Sequence, residues 1–220
     1  AERLHQLREE IPGWLIKDHA KGDYRLDRKM FLDEDIFELE MKHIFEGNWI
    51  YVAHESQLPK EHDFLTTRIG RQPIILTRQA DGKIAGFINV CSHRGAILCR
   101  AKSGNKKNFA CGFHGWVYDS SGNLLDVPGE KQGDYPKNFE LSNHGLKQVA
   151  RVEDYRGFIF ASLNPDVLPL REYLAGSRAF IDLIADLSPT GKLEILRGAN
   201  HYHYKGNWKL QVENGLDGAH

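Results

Sequence analysis

The stretches Cys91-Ser92-His93-Arg94-Gly95 and Cys111-Gly112-Phe113-His114-Gly115-Trp116 decide how the middle of this chain folds. Together they read C-x-H, then 17 residues, then C-x-x-H. Each stretch supplies one thiol and one imidazole, and thiolates and neutral imidazoles are both good metal ligands. The matched pairs therefore predict a bound metal centre with two cysteine and two histidine ligands.

Two kinds of centre use this ligand set. A Rieske-type [2Fe–2S] cluster places two cysteines on one iron and two histidines on the other. Structural zinc accepts a Cys₂His₂ tetrahedron, but common zinc modules pair Cys with Cys and His with His. Because each stretch here supplies one of each, we predict a cluster that carries single electrons, with zinc as the alternative. The predicted ligands are Cys91, His93, Cys111 and His114. Gly95, Gly112 and Gly115 are expected to let backbone N–H groups approach the sulfurs closely.

Runs of residues that favour strands surround both stretches. Residues 73–78 and 84–90 flank Ala80-Asp81-Gly82, and Asp-Gly between two such runs is typical of a β-hairpin. Further strands are predicted at 49–52, 108–110, 116–118, 124–125, 148–152 and 158–163. Residues 47–165 are therefore predicted to form an all-β domain of antiparallel sheets, in which two hairpin loops clamp the cluster.

Helical patterns flank this domain. One helix is predicted over 34–46 with Asp33 as its N-cap, and another over 170–187. A strand is predicted over 193–204, followed by a helix from Asn207 to His220. Since the chain stops inside that helix, we expect it to be part of a longer polypeptide. The fold class is α+β, and the predicted parts are an N-terminal helical segment at 1–46, the metal-centre domain at 47–165 and, at 166–220, the start of an α+β domain that the chain does not finish.

Composition narrows the functional class. The net charge is −1 and the hydrophobic content is 41%, which gives no electrostatic reason to expect nucleic acid as a partner. No apolar run reaches the roughly 20 residues of a membrane span.

The third cysteine and most histidines outside the two loops need no metal. Of three cysteines, Cys99 is left over as a small apolar residue, so the odd count fits a reducing cytoplasm rather than a disulfide framework. Six histidines in polar surroundings are expected at the surface: His5, His19, His43, His54, His62 and His144.

A second group of polar residues lies near the end of the chain. Asn214, Asp217 and His220 are spaced i, i+3 and i+6, so on a helix they would share one face. A carboxylate beside an imidazole can orient the ring of a metal-bound histidine. The alternative interpretation is an amphipathic helix with a solvated polar side.

In this order, CSHRG, CGFHGW and NWKLQVENGLDGAH resemble the large (α) subunit of Rieske non-haem iron aromatic-ring-hydroxylating dioxygenases. The resemblance extends over about residues 30–220 and is strongest to the benzoate, anthranilate and halobenzoate dioxygenase group. Other segments that carry it are IFEGNWIYVAHESQLP, GRQPIILTR, CSHRGAILCR and YRGFIFASLNPDV.

The resemblance implies a catalytic domain of helix-grip-like α+β fold, with a mononuclear Fe(II) held by two histidines and one carboxylate. It matches His220 to the first iron histidine, Asn214 to a residue near the iron, and Asp217 to the carboxylate that joins a cluster histidine of one subunit to an iron histidine of the next. It also implies a trimer of α subunits (α3, or α3β3 with small β subunits). A separate reductase would supply electrons from NADH.

The implied reaction is cis-dihydroxylation of a benzoate-like or anthranilate-like aromatic compound by O₂, with aniline-type amines as an alternative substrate class. Two departures from the family pattern stand out. Ala219 replaces the usual Tyr, and the remaining iron ligands are expected beyond His220. A rival from another class is a Rieske electron-transfer protein without catalysis, which needs only the β domain and leaves the flanking helices unexplained.

Overall fold

The computed structural model describes residues 2–130, 132–196, 198 and 202–218. The chain divides into two compact units, one made of residues 1–40 with 198–220 and the other of residues 41–197. The helices are α1 (Glu2–Glu10), α2 (Lys29–Leu32), α3 (Glu34–Glu40), α4 (Leu170–Leu174), α5 (Arg178–Asp186) and α6 (Trp208–Leu216). The strands are β1 (Leu15–Asp18), β2 (Asp23–Leu26), β3 (Ile50–His54), β4 (Asp63–Ile69), β5 (Gln72–Arg78), β6 (Ile84–Ile88), β7 (Ser103–Asn105), β8 (Asn108–Ala110), β9 (Val117–Asp119), β10 (Leu124–Asp126), β11 (Arg151–Tyr155) and β12 (Phe158–Ser162). None of the helices in these ranges is long and apolar enough to cross a bilayer.

In the first unit, α1, α2 and α3 pack around a small apolar core formed by Leu7, Trp14 and Ile36. The β1–β2 hairpin of this unit is mostly exposed. Asp33 begins α3 as predicted, because its Oδ1 accepts the backbone N–H groups of Asp35 (2.9 Å) and Ile36 (3.1 Å). These bonds satisfy donors that a helix N-terminus leaves unpaired.

In the same unit, Asn207 caps α6. Its side-chain oxygen accepts the N–H of Lys209 at 3.1 Å, as the sequence predicts. The buried carboxylate of Glu40 accepts bonds from the Trp208 indole N–H (2.8 Å) and from the Lys209 ammonium group. Burying Glu40 is tolerable because both of its oxygens have charged or polar donors.

Within its described residues, the second unit contains three antiparallel sheets, with hydrogen-bonded orders β6-β5-β4-β7, β11-β12-β3 and β10-β9-β8. Strand β5, inside the four-stranded sheet, is buried on both faces, since its alternate residues enter different cores. Ile74 and Leu76 pack in a core shared with residues of β3 and β12. Ile75 packs in a second core with Cys91 and Cys111. The metal-centre loops therefore pack against one face of this sheet, and the opposite face packs in the core shared with β3 and β12.

Most of the predicted elements are confirmed. The 73–78 and 84–90 runs form the β5–β6 hairpin, with Gly82 at φ +81° in its turn. The helix predicted over 34–46 is α3 followed by a π-helical turn over Met41–Phe45, in which Glu46 N–H bonds to Met41 C=O at 2.8 Å. The all-β region has the antiparallel sheets expected of it.

Three predicted elements differ from the structure. The helix over 170–187 is interrupted at Ala175, whose φ of +42° breaks the helical path before Gly176. The strand over 193–204 is wrong for 193–196 and 202–204, where no neighbouring strand supplies ladder hydrogen bonds. The last helix ends at Leu216 rather than continuing to His220, because glycines at 215 and 218 are poor helix formers.

Candidate metal centre

The two Cys/His loops have the same pattern of backbone hydrogen bonds. In the first, Cys91 N–H bonds to Ala96 C=O at 2.8 Å and Gly95 N–H bonds to Cys91 C=O at 3.0 Å. In the second, Cys111 N–H bonds to Trp116 C=O at 2.8 Å and Gly115 N–H bonds to Cys111 C=O at 2.9 Å. Each loop is thus a closed turn of the same size, although the histidine is the second residue after cysteine in one and the third in the other.

The glycines have a different role from the one expected. Gly95 and Gly115 adopt φ values of +78° and +73°, in the left-handed region that favours glycine. Their N–H groups close the turns onto cysteine carbonyls instead of reaching sulfur. At Gly112 an added Cβ would meet nothing within 4 Å, so this glycine is not required by space or by backbone conformation.

The four predicted ligands come together. Cys91 and Cys111 are both buried at 3% exposure in one apolar core. The imidazole rings of His93 and His114 lie with centroids 4.8 Å apart and planes at 72°, on the exposed side of the loops. Removal from water, followed by repulsion from His114 and Arg94, lowers the pKa of His93 below its ordinary value. A neutral imidazole is the form that binds a metal ion.

This donor set fits a two-iron cluster. Among the residues that the structure describes, no three His, Cys, Asp or Glu side chains converge closely enough to enclose a single metal ion. A [2Fe–2S] cluster does not need such convergence, because its cysteines and histidines bind different irons. Two buried thiols beside two surface imidazoles suit that division.

Tyr118 adds a hydrogen bond at one of the sulfurs, which sequence reasoning missed. Its hydroxyl oxygen lies 3.2 Å from Cys91 Sγ and accepts the N–H of Ser92 at 3.0 Å. Burial, together with the contact with Cys91, raises the pKa of Tyr118 well above its ordinary value. A metal-bound cysteine is a thiolate without a proton, so the hydroxyl must be the donor. The i, i+2 spacing of Trp116 and Tyr118 in the predicted strand places them on one side of it, but no local pattern indicates a bond to Cys91, which lies 27 residues away.

Cys99 is buried at 6% exposure, as expected of a small apolar residue. Its backbone is held by Asn89, whose side chain accepts the Cys99 N–H at 2.9 Å and donates to the Cys99 C=O at 2.7 Å. His54, expected at the surface, is instead buried at 1% exposure.

The second predicted group is not assembled as the helical spacing suggested. Asn214 lies on α6, but Asp217 follows the end of that helix in an extended conformation, with its N–H bonded to Glu213 C=O at 3.1 Å. The two residues therefore do not share a helical face. His220 and Ala219 lie outside the described residues.

Comparison with known proteins supports the interpretation of the loops. Residues 48–153 match the family model of the Rieske [2Fe-2S] domain. The chain is 54% identical over 218 residues to the toluate 1,2-dioxygenase subunit alpha of Pseudomonas putida, covering 99% of this chain and 48% of the relative. It is 48% identical over 221 residues to the anthranilate 1,2-dioxygenase large subunit of Acinetobacter baylyi, covering 100% of this chain and 46% of the relative.

A solved structure has the same fold. The crystal structure of naphthalene 1,2-dioxygenase from Rhodococcus sp. bound to indole superposes with a TM-score of 0.83 at 29% identity, covering 98% of this chain and 47% of that one. The chain thus spans about half the length of the curated relatives it matches. With the two matched loops and buried cysteines, these similarities show that the chain contains a Rieske [2Fe–2S] domain and belongs to the large (α) subunits of Rieske ring-hydroxylating dioxygenases, in the group of the toluate and anthranilate enzymes.

Proposed function

We propose that Cys91, His93, Cys111 and His114 hold a Rieske [2Fe–2S] cluster that relays electrons within a ring-hydroxylating dioxygenase. The observation that carries this proposal is the pair of equivalent loops, which present two buried cysteines and two adjacent imidazoles. When bound, the cluster supplies storage and transfer of one electron at a time. The histidine iron gives such clusters a higher potential than all-cysteine clusters have.

The chain's own residues shape this site in two ways. The Tyr118 hydroxyl donates to the Cys91 sulfur, and hydrogen bonds to sulfur are one means by which proteins tune cluster potentials. Phe64, Phe87 and Phe109 pack in the same core as the two cysteines and keep water from the sulfur side. The histidine side is open to solvent, where an electron-transfer partner can approach.

We further propose that the whole protein catalyses cis-dihydroxylation of an aromatic acid. One aromatic molecule, O₂, two electrons and two protons form the cis-diol, with both electrons supplied by NADH through a separate reductase. Support comes from relatives named for toluate and anthranilate, so the substrate class is benzoate-like or anthranilate-like. We place the reaction in the cytoplasm.

The mononuclear Fe(II) would take His220 as one ligand, with Asn214 nearby and Asp217 linking a cluster histidine of one subunit to the iron histidine of its neighbour. This arrangement requires an assembly of α subunits, proposed as α3 or, with small β subunits, α3β3. The proposed organisation is an N-terminal helical segment (1–46), the Rieske domain (47–165) and the start of the catalytic domain (166–220).

The charge of the sequence that contains the loops favours an electron donor with an acidic surface. From Lys83 to Tyr118 the sequence contains no Asp or Glu. Five basic residues in this stretch are exposed and form no ion pair with an acid in the described part of the chain: Arg94, Arg100, Lys102, Lys106 and Lys107. Complementary charge accelerates the encounter of electron-transfer partners.

The cluster is tested by anaerobic reconstitution of the 220-residue chain with iron and sulfide. We expect two irons and two sulfides per chain and a visible Rieske spectrum, both lost in Cys91→Ser and Cys111→Ser but retained in Cys99→Ser. A colourless chain that binds one zinc ion tightly would contradict the proposal. In the complete oxygenase, Asp217→Asn should keep the cluster spectrum and lose turnover, and normal turnover would remove its proposed linking role.

A further inference from the structure

The two predicted histidine ligands have different aromatic neighbours. The indole of Trp116 lies flat against the His93 imidazole, with ring centroids 4.8 Å apart and planes at 12°. Phe113 approaches His114 at the same centroid distance but edge-on, at 90°. Trp116 is 4% exposed whereas Phe113 is 72% exposed. One imidazole is thus backed by a buried ring and the other by a side chain that can move in solvent.

Trp116 is itself held by residues 132–146, which we call the covering segment. The indole N–H of Trp116 donates to the Tyr135 hydroxyl at 3.3 Å, and the Phe139 ring meets the indole at 6.1 Å and 71°. Phe139 is stacked in turn on His144 at 4.5 Å and 18°. Trp116 therefore has ring contacts beyond His93 that fix the plane of its indole.

The covering segment is anchored where it ends. Leu146 N–H bonds to Gly122 C=O at 2.7 Å. The Ser92 hydroxyl, one residue before His93, donates to Gly145 C=O at 2.7 Å. The segment is thus hydrogen-bonded to the first loop itself. A displacement of the segment would therefore displace both Trp116 and His93.

We propose that Trp116 is a positioning residue that sets the ring plane of His93 on the cluster, and that the covering segment holds Trp116 in place. A histidine bound to iron through one nitrogen can still rotate about that bond, and groups behind the metal ligands restrict such rotation. A flat ring at 4.8 Å blocks rotation of His93, whereas the edge of Phe113 leaves His114 free to adapt to a partner. This inference rests on the proposed cluster.

The test requires a measured quantity that would stay unchanged if a substitution only weakened the packing of the core. Pulsed EPR of the reduced cluster resolves the ¹⁴N couplings of the two histidine ligands separately. Trp116→Leu removes the ring and retains an apolar side chain, Trp116→Phe retains a ring without the N–H, and Tyr135→Phe removes only the hydroxyl acceptor. Phe113→Leu is the matched control, since Phe113 lies at the same distance from the other histidine.

We expect Trp116→Leu to change one of the two nitrogen couplings and leave the other as in the wild type. Loss of the cluster to a chelator should accelerate about two- to tenfold, the factor expected for an aromatic pair of ordinary strength. Tyr135→Phe should shift the same coupling by less, and Phe113→Leu should leave that coupling unchanged. Wild-type couplings in Trp116→Leu, or equal changes in both nitrogens, would overturn the inference.

If Trp116→Leu does not fold, the comparison of Trp116→Phe with Phe113→Leu decides the matter. A shift of one coupling in Trp116→Phe alone supports positioning by Trp116, and equal spectra for the two variants contradict it. Failure of the proposed function would be distinct, because the wild-type chain itself would then show no nitrogen-coupled cluster signal.

Discussion

The hydroxyl of Tyr118 lies 3.2 Å from the sulfur of Cys91 and at the same time accepts the backbone N–H of Ser92 at 3.0 Å. The second bond aims the hydroxyl, so that its proton points to the sulfur. A donor at sulfur stabilises the reduced cluster, which carries one more negative charge, and thereby raises the reduction potential.

Tyr118→Phe should therefore lower the cluster potential. A shift on the order of 50 mV corresponds to roughly 1 kcal/mol for one electron, a reasonable value for one hydrogen bond. Potentiometric titration followed by EPR measures it, with Tyr173→Phe on α4 as the control. An unchanged or higher potential in Tyr118→Phe would show that the hydroxyl does not donate to the sulfur.

Three glycine-to-alanine substitutions should differ in their effect on stability. Gly95→Ala should lower the free energy of unfolding by about 1–2 kcal/mol, because alanine is strained at a positive φ. The added Cβ itself would have room. Gly115→Ala should cost more, since its added Cβ would also lie 3.0 Å from Pro128 Cγ. Gly112→Ala has neither penalty and should be nearly neutral. Urea unfolding of the three variants checks this order, and a Gly112→Ala as damaging as Gly115→Ala would refute it.

Electron delivery to the cluster should depend on the exposed basic residues between positions 94 and 107. Lys106→Glu with Lys107→Glu should slow reduction by the physiological donor about tenfold or more at low salt, and added salt should slow the wild type. Stopped-flow reduction of the cluster measures both effects. Lys83→Glu is the control, because Lys83 already pairs with Asp81 at 3.3 Å. If Lys83→Glu slows reduction as much as the double variant, local docking is not the cause.

His54 should make the fold sensitive to acid. Its Nδ1 accepts the Ser56 N–H at 3.2 Å, and its buried Nε2 has no hydrogen-bond partner among the described residues. Burial lowers the pKa of His54 below its ordinary value of about 6.5. The unfolded chain therefore binds the proton more readily than the folded chain does. Neutral His54 is compatible with the fold above about pH 6.5, and the resulting stability is lost as the pH falls from there toward the lower pKa of the folded state.

The free energy of unfolding of the wild type should thus fall more between pH 7.5 and pH 5.5 than that of His54→Gln. Urea titrations at the two pH values give the difference, and comparing the two proteins cancels the contribution of the other histidines. Equal pH dependence in wild type and variant would show that His54 does not titrate in this way.

Local sequence signals predicted much of the metal-centre domain. Some features depend on bonds within a few residues, so the sequence alone was enough to predict them. These are the Cys/His spacing, the Asp81-Gly82 turn and the helix caps Asp33 and Asn207. Strand β4 was missed because its middle, Leu65-Thr66-Thr67-Arg68, combines polar and apolar residues without a turn signal as clear as Asp-Gly.

The features that depend on distant partners could not be read in this way. His54 is buried by residues 157–158, which lie about a hundred positions along the chain, and its ring meets Phe158 edge-on at 5.2 Å. Tyr118 reaches Cys91 across 27 residues. The i, i+3 spacing of Asn214 and Asp217 suggested a shared helical face, but the helix ends between them because the local glycines favour termination.

The central claim is that both histidines and both cysteines bind one [2Fe–2S] cluster, and pulsed EPR of the reduced 220-residue chain tests it most directly. We predict two distinct ¹⁴N couplings, with His93→Cys and His114→Cys each removing one of them. A reduced chain with no paramagnetic cluster signal, or a cluster signal without nitrogen coupling, would contradict the account.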